Sequence, residues 1–69
     1  MSVVEDALFE ARPYVEYWDR LKELVEGLWK ESADLDEFIR VLNEEMARAE
    51  EPFKTDLRIF RQKLESLKG

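Results

Sequence analysis

Between Phe53 and Leu67 the large apolar residues Phe53, Leu57, Phe60, Leu64 and Leu67 follow one another at intervals of four, three, four and three. That rhythm keeps one side chain per turn on a single helical seam, whereas a half-buried strand would need alternation at every second residue. No stretch of the chain alternates in that way, so the sequence predicts an all-α fold. Three further stripes have helical spacing. Val3, Val4, Ala7, Leu8 and Ala11 form the first. Tyr14, Tyr17, Trp18, Leu21, Leu24, Val25, Leu28 and Trp29 form a broader one, and Leu35, Phe38, Ile39, Leu42, Met46 and Ala49 the third.

Punctuation divides the stripes. Ser2 with Glu5 and Asp34 with Glu37 have the capping-box spacing that opens a helix, and Pro13 and Pro52 suit first helical positions, where a missing N–H costs nothing. The expected fold is a compact bundle of three longer helices, about 13–31, 34–50 and 52–67, plus a short N-terminal helix of about 3–11. The alternative is a helical hairpin kinked at both prolines, which would have to dimerise into a four-helix bundle to bury its faces. The broad second stripe marks its helix as central. The narrow fourth seam suits a single groove, packed on that second helix. Leu21, Leu28, Leu42, Phe60 and Leu64 sit mid-stripe and are the expected core. Gly27, inside the second helix, marks an exposed or closely packed point.

A chain of 69 residues fits one domain, and at this size a hydrophobic core rarely contributes more than about 3–5 kcal/mol. There is no cysteine, hence no disulfide, and no histidine, which disfavours zinc and iron sites. No metal or organic cofactor is expected. No apolar run is long enough to cross a membrane, and Met1–Asp6 is acidic where a signal peptide would be basic. The expected location is cytoplasmic.

Catalytic signatures are missing. Glu16, Asp19, Glu23 and Glu26 fall on one strip beside Arg20, Lys22 and Lys30, which reads as a solvated helix face. A di-metal carboxylate bundle would also need Glu-x-x-His. Ser2, Ser32 and Thr55 sit at helix ends, where capping explains them, and no imidazole or thiol is present to activate a hydroxyl. The chain reads as a non-enzyme.

Charge is uneven. Residues 1–51 hold 15 acidic and 6 basic side chains, net −9, while residues 53–69 hold 2 acidic and 5 basic, net +3, together the −6 of the whole chain. Lys54, Arg58, Arg61 and Lys68 form a basic stripe interrupted by Glu65. It reads as an intramolecular counterweight to the acidic helices, and a chain this acidic is not expected to bind nucleic acid.

Several apolar residues lie off the stripes: Phe9 opposite the first, Val41 and Ile59 well away from the third and fourth, and Val15 outside the second. In so short a chain they are candidate interface residues, Phe9, Val41 and Ile59 foremost. The expected function is non-catalytic protein–protein interaction or assembly, with self-association into a homodimer or small homo-oligomer. The alternatives are an acidic inhibitor that occupies the basic groove of a nucleic-acid enzyme, and an accessory subunit of an enzyme complex.

Overall fold

Ser2 has extended backbone, and its hydroxyl accepts the Glu5 N–H at 3.1 Å, which satisfies one of the free donors at a helix start. From there α1 runs Val3–Ala11. The computed structural model describes residues 2–68. A single 3-10 turn, Arg12–Tyr14, contains Pro13, and the chain is extended at Val15 before α2 begins at Trp18 and runs to Glu31. Asp34 caps α3, Leu35–Arg48, by accepting the Glu37 N–H at 2.9 Å, while the Glu37 carboxylate accepts the Ala33 N–H at 2.8 Å. Helix α4 is Phe53–Lys68.

The four helices form a bundle 28 × 23 × 19 Å. An unbroken rod of 29 residues would measure about 43 Å, so the kinked hairpin is excluded. The buried core is Val4, Ala7, Leu8 and Ala11 from α1; Leu21 and Val25 from α2; Phe38, Leu42 and Met46 from α3; and Phe53, Leu57, Phe60 and Leu64 from α4. Three rings join three helices in it. Trp29 meets Phe38 edge to face at 5.6 Å between centroids, and Phe38 meets Phe60 the same way at 6.1 Å, the arrangement aromatic quadrupoles favour.

Several expectations need correction. The second helix starts at Trp18 rather than Pro13, because the amides of Glu16 and Tyr17 turn away to the carboxylate of Asp56 on α4. The third ends at Arg48, with Ala49 extended, and Pro52 lies in the turn before Phe53 instead of opening the helix. The central helix is α4, which packs on all three others and most closely on α1, not on α2. The second stripe is broad because Leu24, Leu28 and Trp29 flank the core half-buried. Leu28 thus leaves the expected core, whereas Leu21, Leu42, Phe60 and Leu64 are fully buried. Leu67, the last residue of the α4 seam, is exposed.

Candidate functional surface

The junction between α1 and α2 concentrates aromatic side chains at the surface. Phe9 and Arg12 lie three residues apart and therefore share a face of the first helical segment. Pro13 then turns the chain, and Trp18, opening α2, comes back against both. The Phe9 and Trp18 rings lie 6.2 Å apart and tilted by 39°, and the Arg12 guanidinium sits 5.3 Å above the Trp18 ring. Tyr14 carries the ammonium of Lys63, from α4, at 4.5 Å. Phe9 is 57% exposed and Tyr14 63%, while Trp18 is half-buried. Rigid aromatic faces with cations stacked on them are the side chains that carry most binding energy at protein interfaces.

One carboxylate fixes this junction. Asp56, in the first turn of α4, is 3% exposed, and it accepts the Glu16 N–H at 3.0 Å and the Tyr17 N–H at 2.8 Å. Both carboxylate oxygens are used, so the buried charge is matched by two donors that α2 leaves free at its start.

Across α2 the Arg20 guanidinium stacks 4.0 Å above Phe53. It lines an open cleft of about 360 Å³ with Glu23, Glu45, Arg48 and Ala49, and Arg48 is paired with Glu45 at 2.6 Å. In a neighbouring cleft, also lined by Arg20, Arg48 and Phe53, the Glu51 carboxylate accepts the Thr55 hydroxyl at 2.7 Å and the Thr55 N–H at 2.8 Å. Those hydrogen bonds, with lesser help from Arg58 and Lys54, hold Glu51 below its ordinary pKa. Ser32 donates its hydroxyl to the Leu28 carbonyl at the end of α2. Helix ends therefore account for the Ser2 and Ser32 hydroxyls, whereas the Thr55 hydroxyl caps no backbone group and donates to Glu51. Among the described residues, no group of three or more acidic side chains is placed to hold a metal ion.

The three interface candidates read from the sequence do not form one surface. Phe9 is exposed and its ring partner is Trp18; Val41 is half-exposed on α3; Ile59 is half-buried and packs on the core. Val15 also packs on the core. Sequence reading placed Tyr14 and Trp18 on the stripe of the second helix and passed over Arg12, although half of the chain's eight aromatic residues lie between positions 9 and 18. It also passed over Asp56, whose signal was an acidic residue set on an apolar seam between Phe53 and Leu57.

The intramolecular counterweight expected of α4 is not made by ion pairs. Among the described residues the ion pairs are Arg40–Glu44 at 3.0 Å and Arg48–Glu45 at 2.6 Å, both inside α3.

Fold and surface together define a small all-α bundle with an aromatic, cation-stacked patch at one interhelical junction. The chain belongs to the MJ1579 family, whose family model matches residues 1–69. No curated protein and no solved structure matches it.

Proposed function

We propose that this protein is a non-catalytic interaction or assembly module that works by binding protein, whether a second copy of itself, a larger partner, or both. The observation that carries this reading is the Phe9–Trp18–Arg12 cluster, with Phe9 exposed, together with the exposed Tyr14 ring under Lys63. A folded chain of this size gains nothing by leaving two large aromatic residues more than half exposed. A partner surface that covers them gains their burial, about 1.5–3 kcal/mol for each ring fully covered. Acidic side chains elsewhere on the surface would set partner choice and association rate more than affinity.

The test is a surface variant that leaves the core intact, Phe9→Ser combined with Tyr14→Ser. Its melting temperature should stay close to that of the parent. The parent should either exceed the monomer mass in light scattering or retain a host protein that the double variant releases. A parent that stays monomeric at every concentration, and retains nothing that the variant does not, overturns the reading.

A further inference from the structure

Helix α2 carries a glycine that the single chain does not need. Gly27 lies mid-helix and exposed, and a Cβ built on it would meet nothing within 4 Å. Its backbone is helical, so no left-handed conformation calls for glycine either. Glycine weakens a helix relative to alanine, and its use elsewhere is to let another backbone approach closely. Within this chain, nothing approaches.

The surroundings of Gly27 say what could. On the same outer face Asp19, Glu23 and Glu26 are exposed, and none is in an ion pair among the described residues. They follow at intervals of four and three, about 10 Å of helix. Lys54, Arg58 and Arg61 on α4 repeat those intervals and likewise form no ion pair among the described residues. Arg58 and Arg61 border an open groove of about 380 Å³ between α3 and α4, whose lining also includes Met46, Gln62 and the acidic Glu65. The α2 face is acidic and the α4 stripe is basic apart from Glu65, and the fold does not bring them together.

We infer that the outer face of α2, from Asp19 through Glu23 and Glu26 to Gly27, docks in the Arg58–Arg61 groove of a second copy of this chain. The inference rests on the assembly reading above and deepens it by naming partner and faces. A nucleic acid suits the groove less well, because the chain's net charge of −6 repels a long polyanion. A second copy brings a short acidic face with a flat spot at its C-terminal end. Exposed charge pairs contribute register and rate more than affinity. The stems of Arg58 and Arg61 supply apolar surface for the contact, over the nearly buried Met46.

Reciprocal charge reversal tests it, read as mass by light scattering at two salt concentrations. One variant set is Asp19→Lys, Glu23→Lys and Glu26→Lys; the other is Lys54→Glu, Arg58→Glu and Arg61→Glu. The parent should associate and dissociate as salt rises. Each set alone should run as monomer with its helical content intact, and an equimolar mixture of the two should associate again. Gly27→Leu should weaken association at least tenfold. Gly27→Ala should raise the melting temperature by about 4–8 °C, which separates a loss of contact from a loss of fold. Association that survives either reversal set, or a mixture that stays monomeric, overturns the inference. A parent monomeric at every concentration overturns it as well, while the aromatic surface is still judged by its own host partner. If Phe9→Ser with Tyr14→Ser abolishes association and the charge sets do not, the broader reading stands and this one falls.

Discussion

The carboxylate of Asp56 accepts the backbone N–H of Tyr17 at 2.8 Å across a sequence separation of 39 residues, and it thereby sets where α2 begins. Hydrogen bonds to a charged acceptor are worth about 1.5–3 kcal/mol each, and removal of this one would leave two amide donors without partners at a part-buried site. Asp56→Ala should lower the melting temperature by about 10 °C or more, on the scale of about 4–8 °C per kcal/mol for a domain of this size. Asp56→Asn keeps one acceptor oxygen and should lose less. Thermal melts followed by circular dichroism decide it. Equal melting temperatures for the parent and Asp56→Ala would show that the contact contributes nothing.

Core truncation should divide the leucines by burial. Leu42→Ala and Leu64→Ala remove fully buried side chains and should each cost about 2–5 kcal/mol, enough to unfold much of a population this marginal. Leu28→Ala, at a half-buried site, should cost clearly less. Chemical denaturation at 25 °C gives the ranking directly. A Leu28 loss equal to the other two would place it in the core after all.

Phe9 and Ile59 separate surface from packing. Ile59→Ser removes a partly buried side chain from the core edge and should cost about 1–2 kcal/mol. Phe9→Ser, on the exposed ring, should stay within about 0.5 kcal/mol. Denaturant midpoints test both. The reverse order would mean that the Phe9–Trp18 contact holds the fold, and would weaken its use as a binding surface.

Acid should loosen the start of α4 through Glu51. Its pKa is lowered in the folded chain, chiefly by the Thr55 side-chain hydrogen bond. A carboxylate held below its unfolded value contributes stability that is present above the ordinary 4.5 and is lost as pH falls through the lowered folded value. Glu51→Gln should therefore flatten that part of the dependence of melting temperature on pH. Superimposable profiles for parent and variant below pH 4.5 would rule this out.

Helix number, the two N-caps Ser2 and Asp34, and most of the core were legible because they depend on local spacing. Ser2 with Glu5 and Asp34 with Glu37 act within one turn, and Leu42 or Phe60 needs only a stripe to be recognised. Helix pairing was not legible. The α4 seam reports that it is buried, but not that its nearest neighbour is α1, since periodicity carries no identity of the partner. The start of α2 was misplaced for a related reason. Pro13 is a valid helix opener locally, and it is overruled by an acceptor on α4 that lies some forty residues further along the chain. Phe9 was found as an off-stripe residue, but Trp18 and Arg12 beside it were not, because their meeting depends on the turn between them.

The close packing of α1 on α4 has a consequence for how the protein comes to be folded. A ribosome makes Val4, Leu8 and Ala11 well before the Leu57–Leu64 face that covers them. Until α4 emerges, the earlier helices hold an open apolar trough with no lid. A chain cut short in α4 would leave α1 and α2 with exposed apolar faces, a substrate for proteolysis rather than a smaller working module.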